Sequence, residues 1–163
     1  MIAAVLLAAV TAMTLESADF APGGTIPVAS MAADCGGRNR TPVLRWSNPP
    51  ANAKSFALVM RDPDAPVAGG FYHWVLYDVP PAARAIGSGG VAGSRTGIAT
   101  TGQAAYYGPC PPPGPAHHYI FTLYALDVAR VAGDAPLTAA QLEKRIGGHV
   151  LARGTLTATA AHP

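Results

Sequence analysis

The run Phe56-Ala57-Leu58-Val59-Met60 is apolar without a break and stops at Arg61-Asp62-Pro63-Asp64-Ala65-Pro66. A second apolar run, Val75-Leu76-Tyr77, follows Tyr72-His73-Trp74. Strands that are apolar at consecutive positions must be covered on both faces, so Lys54 to Arg61 and Phe71 to Val79 are predicted as central strands of one sheet. The segment between them cannot continue the ladder, because proline has no N–H to give. Nor can two carboxylates be buried there without partners. It is read as a rigid polar floor at the end of a buried sheet, where a ligand can sit.

The rest of the chain fits around that pair of strands. Thr14 to Ser17 and Thr25 to Val28 read as short strands separated by the turn Ala21-Pro22-Gly23-Gly24, and Thr41 to Trp46 as a strand that starts at a proline. Residues 82 to 116 are rich in Gly, Ser, Thr and Pro, and so long a loop inside a domain is usually functional. His117 to Asp127 is another strong strand. Thr138 and Gln141 form a capping-box signature, with Leu142, Ile146 and Val150 at helical spacing behind it, so a helix is predicted over Thr138 to Val150. Leu151 to Thr159 closes the series as a strand. Strands joined mostly by turns favour antiparallel pairing, hence a mainly β, antiparallel sandwich with a short C-terminal helical element, in one domain over residues 14–160.

Charged residues make up only 12% of the 163, with a formal net charge of +2, which excludes nucleic-acid or membrane-surface binding by bulk electrostatics. Residues 1–13 resemble the apolar core of a secretory signal, although no Lys or Arg precedes them, and a short buried helix is the alternative. The run is too short to span a bilayer. Export to the periplasm or outside the cell is expected, with a cytoplasmic location if the segment is not a signal. Cys35 and Cys110 each sit in a Gly/Pro-rich loop; in an exported protein they read first as a disulfide, and otherwise as two small hydrophobes.

On a strand, residues two apart share a face, so Asp62 and Asp64 are expected to point one way if the strand persists, and His117 and Tyr119 likewise. Brought together with His73, these groups would surround one cavity, walled by Pro109, Pro111, Pro112 and Pro113. Carboxylates behind imidazoles fix their tautomer and favour the cationic ring, leaving an N–H for a phosphate-sized oxyanion. Tyr106 and Tyr107 fit either pocket lining or packing. No His-x-x-x-His or Asp-x-Asp-x-Asp-Gly spacing is present, so no metal and no cofactor are expected. Paired carboxylates could serve a hydrolase, but there is no Gly-x-Ser-x-Gly elbow, and an enzyme is not the favoured reading. Ala65–Pro66 is expected to be a cis peptide within the turn.

The elements Asp62-Pro63-Asp64-Ala65-Pro66, His73-Trp74 and Tyr107-Gly108-Pro109-Cys110-Pro111-Pro112, with His117-His118-Tyr119, resemble the phosphatidylethanolamine-binding protein family, and more closely its bacterial Raf-kinase-inhibitor-like branch. The resemblance runs from about Thr14 to Thr157. It implies a β-sandwich with a small pocket for phosphate or phospholipid head groups, formed here by Asp62, Asp64, Pro66, His73, Pro111, Pro112, His117 and Tyr119. It also implies a paired Cys35 and Cys110, and non-enzymatic binding. Some members of the family modulate a kinase or protease, so an inhibitor that docks through its loops is the alternative function. The chain departs from the family at His118, where Arg is usual, at Pro113, where a basic residue is frequent, and over Gly93 to Ala105.

Overall fold

The computed structural model describes residues 12–163. Eight strands and one helix follow in the order β1 (Thr14–Ser17), β2 (Leu44–Ser47), β3 (Ser55–Asp62), β4 (Phe71–Val79), β5 (Ala85–Ile86), β6 (Arg95–Thr96), β7 (His117–Leu126), α1 (Ala139–Ile146) and β8 (Val150–Ala160). They form a three-stranded sheet, β1-β2-β5, and a five-stranded sheet, β6-β4-β3-β7-β8, and every neighbouring pair is antiparallel.

The large sheet is covered on both sides, which is what the unbroken apolar run of β3 requires. Phe56, Leu58 and Met60 face Leu15, Leu44 and Trp46 of the small sheet across one core. Ala57 and Val59 face Leu137, Leu142 and Ile146 across a second. Each fully buried aliphatic side chain contributes about 1.5–3 kcal/mol, so these two cores fix β3, β4 and β7 as the rigid part of the molecule. Met13 is buried in the first core, and a side chain at Gly154 would meet the Met13 carbonyl at 3.1 Å. The domain therefore includes Met13, one residue ahead of the expected boundary; residues 1–11 of the signal-like segment lie outside the described residues.

The helix begins where its signature places it. Thr138 Oγ1 accepts from the Gln141 amide while Gln141 Oε1 accepts from the Thr138 amide, satisfying two N–H groups that the first turn leaves open. It ends at Ile146, earlier than expected, because Gly147-Gly148 turns the chain and Val150 already belongs to β8. The strand expected over Thr25 to Val28 also fails to form. Thr25 makes a lone bridge to Thr159, Ile26 donates to the Thr159 carbonyl at 2.9 Å, and Pro27 then has no N–H with which to continue. A single 3-10 turn over Val28–Ser30 follows.

Candidate functional site

β3 ends at Asp62, and its carboxylate makes the turn that follows. Oδ1 accepts from the amides of Asp64, at 2.8 Å, and Ala65, at 3.0 Å. The reversal into β4 falls on Gly69 and Gly70, both left-handed, and a Cβ on Gly70 would lie 2.6 Å from the Asp62 carbonyl. There is no cis peptide among the described residues, so the cis Ala65–Pro66 bond expected from the sequence is trans. The Asp62 side chain and the two glycines turn the chain without it.

The other oxygen of Asp62, Oδ2, accepts from His117 Nδ1 at 2.7 Å, and both groups are nearly enclosed. Asp62 thus has a partner on each oxygen, as a buried carboxylate needs. The tautomer follows: His117 carries a proton on Nδ1, and its Nε2 remains for a ligand. Asp64 behaves differently. Because the strand stops at Asp62, the expected alternation is lost and Asp64 turns to the rim. There its Oδ2 accepts from both the His118 amide, at 2.8 Å, and His118 Nδ1, at 2.7 Å. The backbone bond, more than the ring, holds the Asp64 carboxyl below the usual carboxylate range.

His73 lies on β4, beside this pair but without a carboxylate of its own. Its Nδ1 donates to the Tyr107 carbonyl at 2.7 Å, while the Tyr107 amide donates to the His73 carbonyl at 2.9 Å. Burial pushes its pKa down to about 4, so the ring is neutral at ordinary pH. The carboxylate-supported imidazole expected from the sequence is therefore found at His117 and not at His73. With Nδ1–H spent on Tyr107, the remaining His73 nitrogen is an acceptor.

Tyr119 forms the floor, fully buried, with its ring at 5.2 Å and near right angles to that of His73. Its hydroxyl meets no protein partner at hydrogen-bond geometry. Burial, then the charges of Asp62 and Asp64 and the pull of the Asp62 carboxylate on the phenol proton, raise its pKa, so the phenol keeps its proton.

Asp62, Pro66, His73, Pro111, Pro112, His117 and Tyr119 line one cavity of about 210 Å³; Asp64 is not part of that lining. The volume is below the roughly 300–1,000 Å³ of pockets that take drug-sized ligands. Ala65, Phe71, Tyr107 and Cys110 complete the wall. Phe71 was within reach of sequence reasoning, since it shares a strand face with His73 two residues on. Tyr107 was not distinguishable from Tyr106, and the two part company here: Tyr106 packs on Trp74 and donates to the Ser30 carbonyl at 2.8 Å. Asn39 carried no signal, yet it clamps the wall from behind, donating to the Tyr106 carbonyl at 2.9 Å and accepting from the Gly108 amide at 2.6 Å. The Cys35–Cys110 disulfide, with Cα atoms 5.5 Å apart, ties the same wall to the Asn39 loop.

Among the described residues, Cys35, Cys110 and His162 are grouped closely enough to suggest metal ligands. Both sulfurs are committed to the disulfide and offer no thiolate.

A two-sheet antiparallel β-sandwich with a small His/Asp/Pro-walled cavity is the class of protein that the fold and site define, and known proteins share it. The signature described as phosphatidylethanolamine-binding protein matches residues 16–161. UPF0098 protein YbhB of Escherichia coli is 37% identical, over 90% of this chain and 98% of its own. A Mycobacterium tuberculosis protein named as lipoprotein LppC is 43% identical, over 72% of this chain and 57% of its own. The crystal structure of E. coli YbcL, described as a new member of the mammalian PEBP family, superposes with a TM-score of 0.87 at 26% identity, covering 93% of this chain and 99% of that one. The Chlamydia trachomatis homologue CT736 superposes with a TM-score of 0.85 at 33% identity, with the same coverage. The chain belongs to the phosphatidylethanolamine-binding protein family.

Proposed function

We propose that this protein is a non-enzymatic binding module whose cavity holds a small oxyanion, such as phosphate or the phosphate of a head group. The observation that carries this reading is the cluster of Asp62, His117 and Tyr119 at the cavity, where the buried Tyr119 phenol keeps its proton beside the Asp62 carboxylate. Beside it, His117 has Nδ1 on Asp62 and presents Nε2, which donates when the ring is protonated. An oxyanion in the cavity can accept from that Nε2. The wall contains no serine or threonine, and its cysteine is in the disulfide, so no Ser–His or Cys–His nucleophile pair is present in it. Binding, rather than turnover, is what such a set of groups supports.

The likeness to LppC, a protein named as a lipoprotein, and the Cys35–Cys110 disulfide favour an exported location. Among the described residues no helix is long and apolar enough to cross a membrane.

Titration of the protein with phosphate, followed by the ring resonances of His73 and His117, tests the reading. Both rings are expected to shift. Saturating phosphate with neither ring perturbed would overturn it.

A further inference from the structure

We propose that the Cys35–Cys110 pair is a redox-gated metal site: once it is reduced, the two thiolates and the His162 imidazole hold one thiophilic ion, of which zinc is the type.

The fold brings His162 to the sulfurs. β8 stays paired with β7 as far as Ala160, opposite His117, and Ala161 and His162 then cross towards the disulfide. There His162 Nδ1 lies 3.6 Å from Cys35 Sγ, and that nitrogen and both sulfurs fall within 4.8 Å of one another. A tetrahedral ion with Zn–S of about 2.3 Å and Zn–N of about 2.0–2.1 Å separates its sulfur and nitrogen ligands by about 3.5 Å. The Cys35–His162 spacing already matches. Two thiolates on such an ion stand about 3.8 Å apart, so the ligand that has to move is Cys110 Sγ. Cys110 is only half-buried and borders the cavity, which gives a turn about χ1 its space, whereas Cys35 is fixed in the core.

The oxidation state decides whether the ligands exist, because a disulfide sulfur has no negative charge to give. A dithiol reductant, such as a thiol–disulfide oxidoreductase, supplies the two electrons. Its first thiolate attacks one sulfur, its second thiol releases the other, and it leaves as a disulfide. The ion then takes the place of the two cysteine thiol protons. His162 gives up none. In the oxidised protein its Nδ1 donates to the Pro111 carbonyl at 3.0 Å, and the exposed ring can carry that proton on Nε2 instead. Three protein ligands leave a fourth position for water, and the Pro111 carbonyl, released by the ring, can accept from it. An oxidised partner of the same class takes the two electrons back, re-forms the disulfide and expels the ion. Two thiolates and an imidazole suit zinc or copper(I); calcium and magnesium, which need oxygen ligands, are refused.

Cobalt(II), which reports its own coordination, tests the site. The full protein, reduced with a phosphine under nitrogen and freed of reductant, is expected to bind one equivalent. Thiolate charge-transfer bands and the strong visible bands of a tetrahedral ion should appear, and zinc should abolish them. The oxidised protein should show neither. His162→Ala leaves the disulfide able to form, and after reduction it should bind cobalt about 100-fold more weakly, since even the outer-shell partner of a ligand is worth about 10–100-fold. Zinc should also raise the urea midpoint of the reduced protein and leave that of the oxidised protein unchanged, a measurement that holds where reduction loosens the fold. Cobalt bands in the oxidised protein, equal cobalt affinity in reduced wild type and reduced His162→Ala, or a reduced protein that zinc does not stabilise would each overturn the site.

Discussion

Two adjacent histidines on β7 make the same contact in different surroundings. His117 and His118 each place Nδ1 at 2.7 Å from an aspartate, Asp62 and Asp64. In the first pair the side chains are 13% and 4% exposed; in the second, 58% and 41%. Alternation along the strand accounts for it: one ring faces the cavity and the next faces solvent. Equal distances therefore conceal unequal energies. The inner pair is shielded from water and from salt, and breaking it strands a charge. The outer pair sits in high dielectric, where an exposed ion pair contributes little.

The largest expected effect is on the inner pair. Asp62→Ala removes the acceptor of His117 and of two turn amides together. Removing one partner of a buried pair costs about 3–5 kcal/mol, so chemical unfolding of this variant should show most of that loss. Phosphate binding should be lost with it, because His117 is then free to turn and to change tautomer. Melting of Asp62→Ala at the wild-type temperature would break the contrast between the two pairs.

That contrast marks the limit of what the sequence shows. The strands β3, β4 and β7 were legible because they are long, apolar and bounded by proline or glycine. The capping box revealed α1 for a similar reason: its geometry is local. His73, His117 and Tyr119 were placed around one cavity because strand periodicity and the family's motifs agree. Asp64 was not placed correctly, since its direction depends on where β3 stops, and the side chain of Asp62 decides that by capping the turn. The neutral state of His73 was also out of reach. It is set by burial, which outweighs the opposing pull of a hydrogen bond to the Tyr107 carbonyl, 34 residues away. Asn39 is invisible for the same reason, as a surface-type residue in a loop until the 106–108 backbone is laid against it.

His73 gives the next effect in size and a third term for the contrast, an imidazole with no carboxylate. Its pKa falls from 6.5 to about 4 on folding. Above 6.5 the ring is neutral in both states and favours neither. As pH falls towards 4, the unfolded chain binds a proton that the folded protein refuses, so stability is lost across that window. The full loss is roughly 3 kcal/mol. Urea unfolding of the wild type at pH 7 and pH 4.5, beside His73→Gln, measures it. Gln cannot titrate, so the variant should lose less stability than the wild type between the two pH values, whatever its stability at pH 7. Parallel losses would mean that the acid sensitivity lies elsewhere.

The smallest effect belongs to the outer pair and sharpens the comparison best. Asp64→Asn keeps an oxygen for the His118 amide and removes only the charge. Because the folded protein holds the Asp64 carboxyl below its ordinary value of 3.8, the charge stabilises the fold above that pH, and the benefit is lost as pH falls through the lower, folded value. The melting temperature at pH 7 should therefore drop slightly, and the difference from wild type should vanish in acid and shrink in high salt. Phosphate affinity should move the opposite way. One negative charge leaves the rim of a cavity that has no lysine or arginine, so binding should tighten slightly at low ionic strength and be unchanged at high. A marked loss of phosphate binding in Asp64→Asn would instead make the outer aspartate a ligand-contacting group, and the two pairs would then share one task.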